Sequence, residues 1–168
     1  MNAPKPSQTT SPSSQPNIGI IDDDPIAATV MRARLKIQFP NCQIRIYDQP
    51  VVDPQLDVYF VDNDFNGSAL ATELLGEIRA LNPNALVIAM SATLGNETLQ
   101  KLMNGGCNAV YDKNQPSNGE PVFEVIGNYL EVLNRLKNSP TRSPFSGVVT
   151  SLRDLLHEWN QRLRHAGF

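Results

Sequence analysis

Residues Leu56 to Gly67, LDVYFVDNDFNG, constrain this chain more than any other stretch. Val58 to Val61 are consecutive β-branched or aromatic residues, the composition of a strand covered on both faces, and they run straight into Asp62. Asn66 and Gly67 then turn the chain. A strand of this kind belongs to a sheet flanked by helices on both sides, and its last residue is delivered to the sheet's carboxyl edge. Asp62 is therefore expected to face a crevice rather than the core.

The remaining segments supply what such a sheet needs. Asn17 to Asp22, NIGIID, is a first short strand that ends in Asp22, Asp23 and Asp24, followed by Pro25. Asp24 before Pro25 is a helix start, with the acid as cap and proline where no amide donor is missed. Ile26, Val30, Ala33 and Ile37 then predict the apolar face of a helix that stops before Pro40. Gln43 to Tyr47 alternates as a half-buried strand, and the DQPVVDPQL stretch after it leaves room for only a shortened second helix. Leu70, Leu74, Leu75, Ile78 and Leu81 mark a further helix, with Ser68 as its cap and Pro83 beyond its end. Ala85 to Met90 is another doubly buried strand and leads to Ser91. Leu99, Leu102 and Met103 predict a short helix closed by Gly105 and Gly106. Asn108 to Tyr111 is the last strand, Lys113 follows it, and Glu120 to Lys137 is a strongly periodic helix.

Strands alternating with helices give an α/β fold: a doubly wound, five-stranded parallel sheet of flavodoxin-like order 2-1-3-4-5. Residues 1–16, rich in Ser, Thr and Pro, read as a disordered tail before a domain over 17–137. A linker over 138–147 precedes an amphipathic helix over 148–166 carrying Val148, Leu152, Leu155, Leu156, Trp159 and Leu163. That helix is expected to dock its stripe on the rest of the chain or to join two copies into a homodimer.

A net charge of -3 argues against direct binding to nucleic acid. No apolar run approaches the ~20 residues of a membrane span, and no signal peptide is visible, so a cytoplasmic protein with no membrane partner is expected. The two cysteines, Cys42 and Cys107, stand apart from any metal-binding spacing and read as buried free thiols.

The order 2-1-3-4-5 brings Asp22, Asp23, Asp62, Ser91 and Lys113 to one edge. Three carboxylates in one crevice either titrate high or hold a divalent cation between them, and an all-oxygen set suits Mg2+. A lysine and a hydroxyl opposite them would meet a phosphoryl group as cation and donor.

At these residues the chain resembles the receiver domain of bacterial two-component response regulators, through IIDDDP, DVYFVDNDFNG, VIAMSAT and the lysine of VYDKN in order. The resemblance implies that Asp62 accepts a phosphoryl group from a phosphohistidine on a sensor histidine kinase or histidine phosphotransfer protein. It implies that Asp22, Asp23, Asp62 and the main-chain carbonyl of Asp64 hold Mg2+, that Lys113 pairs with the phosphoryl oxygens, and that Ser91 relays the state to a downstream protein target. Such a protein is a stand-alone phosphoacceptor in a phosphorelay rather than an enzyme, catalysing only its own phosphorylation and dephosphorylation. Three positions depart from the family pattern. Val110 stands where an aromatic or histidine switch is usual, with Tyr111 expected on the opposite face. Asn114 replaces the usual proline, and Asp64 adds an acid beside Asp62.

Three other readings compete. A degenerate receiver would bind proteins without being phosphorylated. Asp62 to Glu73 also matches a calcium-loop pattern, although a strand precedes it where a helix is usual. His157 to Leu163, HEWNQRL, resembles the phosphoacceptor box of one group of sensor histidine kinases, with Arg162 in place of its proline.

Overall fold

A computed structural model describes residues 15–138. Most of the tail expected over 1–16, nearly all of the linker, and the stretch over 148–166 with His157 lie outside them. Five strands form one sheet in the order β2-β1-β3-β4-β5, all parallel. They are β1 (Asn17–Ile21), β2 (Gln43–Tyr47), β3 (Val58–Asp62), β4 (Leu86–Ser91) and β5 (Ala109–Asp112). The helices are α1 (Pro25–Gln38), α2 (Ala71–Leu81), α3 (Asn96–Asn104) and α4 (Glu120–Asn138), and a short 3-10 turn, Pro116–Gly119, leads into α4. No helix among the described residues is long and apolar enough to cross a membrane.

Every residue of β3 and β4 is buried, as their unbroken apolar composition requires. Successive side chains of β3 point to opposite faces. Val58 and Phe60 meet Met31 and Leu35 of α1 and Ile126 and Tyr129 of α4. Tyr59 and Val61 meet Leu74, Leu75 and Ile78 of α2 and Leu102 of α3. Each such large side chain contributes about 1.5–3 kcal/mol on full burial, and this fixes the strand's register against its neighbours. Cys42 and Cys107 are both free and buried, as expected.

Helix α1 begins where the sequence places it, with Asp24 Oδ1 accepting from the amides of Ile26 (2.8 Å) and Ala27 (3.3 Å). Its buried face is nevertheless Ala28, Met31 and Leu35. Ile26, Val30 and Ile37 are 74%, 50% and 79% exposed. Both rows are apolar and both repeat with a helical period, so periodicity alone could not choose between them; the crossover from β1 to β2 turns the Met31 row inward. Ser68 likewise does not cap α2, whose cap position is Leu70 without a side-chain bond. Ser68 instead pairs with Phe65 in a tight hairpin.

No helix forms between β2 and β3, so the shortened second helix is an irregular loop. Asp53 pins it. The Asp53 carboxylate accepts from Arg45 (3.0 Å), the Tyr47 hydroxyl (2.7 Å) and the Gln55 amide (2.9 Å), while the Tyr59 hydroxyl donates to its carbonyl. Leu56 fills the space over Gly19, where a Cβ would lie 2.2 Å from Leu56 Cδ1. A glycine in β1 thus lets a loop cover what a helix would otherwise cover.

The Gln55 amide, the Tyr47 hydroxyl and Arg45 together hold the Asp53 carboxyl below its ordinary value of 3.8. The stability it contributes is therefore present above that value and is lost as the pH falls through the lower folded one. Asp53→Ala should destabilise the protein by about 1–3 kcal/mol near neutrality, as read by chemical denaturation. The gap to the native chain should close on acidification; a gap independent of pH would contradict the role given to this carboxylate.

Candidate functional site

Parallel strands deliver all their carboxyl ends to one edge, and there the chain places its chemistry. Asp22 follows β1, Asp62 ends β3, Ser91 ends β4 and Lys113 follows β5. Asp22 and Asp62 are only 1% and 3% exposed. The Lys113 ammonium stands 2.8 Å from Asp22 Oδ2 and 2.9 Å from Asp62 Oδ1. Both contacts are at the distance of a charge-assisted hydrogen bond. One carboxylate oxygen from each of Asp22, Asp23 and Asp62 lies within 4.8 Å of the others.

The surrounding backbone orients these groups. Asp22 Oδ1 accepts from the Asp24 amide at 3.0 Å, which leaves Oδ2 to face the crevice. Asp23 Oδ2 accepts from the Asn66 amide at 2.9 Å. Asn66 and Gly67 both have positive φ, +50° and +76°, and between the paired residues Phe65 and Ser68 they make the Asn-Gly hairpin turn that such angles favour. Phe65 is buried and anchors the hairpin in the α2 side of the core. Phe65 and the Asn66 amide were not singled out in the sequence; the Asn-Gly pair signalled the turn but not its contact with Asp23.

Burial raises the Asp62 pKa above its ordinary value, more than the Lys113 ammonium and the Asp64 amide lower it, and the Asp22 charge adds to the rise. For Lys113 burial acts to lower the pKa, but its contacts with Asp22 and Asp62 outweigh burial and raise it. The crevice holds more negative than positive charge, and one ammonium group serves both buried carboxylates. Oxygen donors in this arrangement fit a divalent cation with a preference for oxygen and retained water, such as Mg2+.

The other predicted residues fall less simply. Ser91 is fully buried, but its hydroxyl is engaged by Thr93, donating to that carbonyl and accepting from that amide, each at 3.2 Å. Asp64 is exposed. Val110 packs on the α2–α3 side while Tyr111 packs on the α1–α4 side, as strand alternation predicts. The Tyr111 hydroxyl accepts from Arg34 at 2.5 Å, and the same guanidinium group donates to the Pro116 carbonyl at 3.2 Å. No cis peptide occurs among the described residues; Asn114 instead donates through its side chain to the Ala92 carbonyl. The calcium-loop reading is not supported, because Asp62 gathers with Asp22 and Asp23 while Glu73 is exposed in the first turn of α2.

No family model matches the sequence, and no curated protein matches it. Solved structures do match the fold. The signal receiver domain of a DNA-binding response regulator from Colwellia psychrerythraea 34H is similar at TM-score 0.59 and 23% identity, over 69% of this chain and 98% of that one. A CheY-like response regulator receiver domain protein from Methanospirillum hungatei JF-1 is similar at TM-score 0.55 and 20% identity, over 70% and 95%. A putative pilus assembly protein from Burkholderia thailandensis E264 is similar at TM-score 0.57 and 13% identity, over 69% and 98%. The described residues have the fold of response regulator receiver domains.

The raised Asp62 pKa means that ionising this group works against folding: stability falls as the pH rises from 3.8 to the higher folded value, and the loss persists above it. Without divalent cations, Asp62→Asn should therefore stabilise the protein at neutral pH by on the order of 1 kcal/mol, with the gain shrinking in acid. Lys113→Ala leaves the two buried carboxylates facing each other and should cost on the order of 3 kcal/mol. Thermal denaturation in chelator reads both, and a destabilised Asp62→Asn would contradict this view of the crevice.

Proposed function

We propose that this chain is a response regulator receiver that accepts a phosphoryl group on Asp62 from a phosphohistidine of a sensor histidine kinase or histidine phosphotransfer protein. The observation that carries the reading is the Lys113 ammonium held between Asp22 and Asp62, with the Asp23 carboxylate alongside. An Asp62 oxygen forms a bond to phosphorus as the phosphorus–nitrogen bond to the donor imidazole breaks. The bonding pair stays on that nitrogen, which takes up a proton. Burial raises the basicity of the Asp62 oxygens and so their nucleophilicity.

Asp22, Asp23, Asp62 and the main-chain carbonyl of Asp64 are the groups that would hold Mg2+, which when bound neutralises charge on the phosphoryl oxygens. Lys113, kept protonated by its two carboxylate contacts, exchanges its Asp62 oxygen for a phosphoryl oxygen once Asp62 becomes an acyl phosphate. Ser91 turns from Thr93 toward the same group and carries the state to a downstream protein. Water then hydrolyses the acyl phosphate and returns the site to its starting charge.

A second reading, a receiver that binds partners without phosphorylation, is favoured by the relay behind the site. Tyr111 lies on the face away from Val110 and is tied to Arg34, and Asn114 is tied to Ala92.

Incubation with acetyl phosphate and Mg2+ followed by intact-mass analysis separates the two. One added phosphoryl group is expected, absent in Asp62→Asn and in a chelator control. No adduct under conditions that label an ordinary receiver would overturn phosphotransfer in favour of the binding module.

A further inference from the structure

The peptide group between Ala92 and Thr93 is held at both ends. Its N–H donates to the Ser91 hydroxyl oxygen at 3.2 Å, and its carbonyl accepts from the side-chain amide of Asn114. The Ser91 hydroxyl in turn donates to the Thr93 carbonyl at 3.2 Å. A peptide group is planar, so fixing the direction of its carbonyl also fixes the direction of its N–H. Asn114 and Ser91 thus grip opposite ends of one rigid unit, and each contact orients that unit for the other.

The two ends are not equally anchored. The Lys113 amide donates to the Ser91 carbonyl at 2.9 Å, carrying the pairing of β4 with β5 one step past Asp112. The Asn114 amide donates to Asp112 Oδ1 at 2.8 Å. Asn114 therefore hangs from the sheet edge, whereas Ala92 and Thr93 are exposed residues of the loop between β4 and α3. The side chain of Asn114 is the fixed point, and the loop is what it holds.

We propose that Asn114 is a positioning residue: its side-chain amide holds the Ala92–Thr93 peptide group in the orientation that keeps the Ser91 hydroxyl on Thr93, and so opposes the turn of Ser91 toward Asp62. Turning Ser91 takes the acceptor away from the Thr93 N–H, which then goes to water or to a rotated position of the peptide group. Asn114 favours the arrangement before the turn because only there are both ends of the group satisfied within the protein. The opposition to a switch rests on the phosphoacceptor reading of Asp62; the grip on the peptide group does not.

Two measurements on the full-length chain separate the grip from the switch. The first needs no phosphoryl group and follows hydrogen exchange of the Thr93 amide by nuclear magnetic resonance. Asn114→Ala should speed this exchange about two- to tenfold, the loss expected for one hydrogen bond, with far-UV circular dichroism unchanged. Asn114→Asp, which keeps the shape of the side chain but not its donor, should do the same. Neither should speed it further in a Ser91→Ala background, where the acceptor is already gone. An unchanged Thr93 rate, or an equal acceleration with and without the Ser91 hydroxyl, would overturn the grip.

The second measurement is the affinity for beryllium trifluoride, a phosphoryl mimic, in the presence of Mg2+. Asn114→Ala should bind it about two- to tenfold more tightly than the native chain, and the gain should vanish in a Ser91→Ala background. Faster Thr93 exchange with equal affinity for the mimic would keep the grip and overturn its opposition to the switch. A native chain that neither binds the mimic nor takes a phosphoryl group from acetyl phosphate would overturn the phosphoacceptor reading and the switch with it, while Thr93 exchange would still decide the grip.

Discussion

One ammonium group between two buried carboxylates is the contact on which the site depends. Asp22 and Asp62 lose most of their hydration at the sheet edge, a cost of several kcal/mol per ion that only close opposite charge offsets. Lys113 supplies that charge because β5 ends opposite the switch point between β1 and β3, with β4 spanning the gap. The parallel order is thus the means by which residues far apart in the chain meet within a few ångströms. The same contact leaves the crevice with more negative than positive charge.

The rest of the molecule holds that edge still. The interior of β3 cannot slip, because a shift by one residue would exchange Tyr59 and Val61 with Val58 and Phe60 between two differently shaped halves of the core. The Asn66–Gly67 turn clips the chain after Asp62 back onto Asp23. On the far flank Asp53 and Leu56 replace a helix with a pinned loop, so the edge beside β2 is thinly covered without being loose. Behind the site the joints differ from the pattern the sequence resembles. Arg34 staples Tyr111 to the turn before α4, and Asn114 links the Lys113 loop to the loop after β4.

The elements with one strong pattern were legible in the sequence. Unbroken apolar runs gave β3 and β4, the Asp-Pro pair gave the start of α1, and the order of strand ends predicted which charges would meet. What was not legible was a choice between equal patterns. Helix α1 carries two apolar rows, and only the direction of its crossover decides which one faces the sheet. Ser68 had the chemistry of a cap, but the Asn-Gly turn beside it claimed its backbone for a hairpin. Asp53 as a hub, and Gly19 as the space for Leu56, depend on contacts between strands and a loop that has no period to read. At the site, residue types were foreseeable from strand ends, whereas the engagement of Ser91 by Thr93 is local loop geometry that no spacing encodes.

The central claim is that Asp22, Asp23 and Asp62 form one cation site closed by Lys113. Titrating the isotope-labelled full-length chain with Mg2+ and following backbone amide shifts tests it most directly. Shifts should concentrate in three places, after β1 at Asp22 to Asp24, after β3 at Asp62 to Gly67, and around Lys113 and Asn114, and they should vanish in Asp23→Asn. Shifts centred on Asp64 and Glu73 without those around Asp22 and Lys113, or no saturable response, would contradict a shared site at the sheet edge.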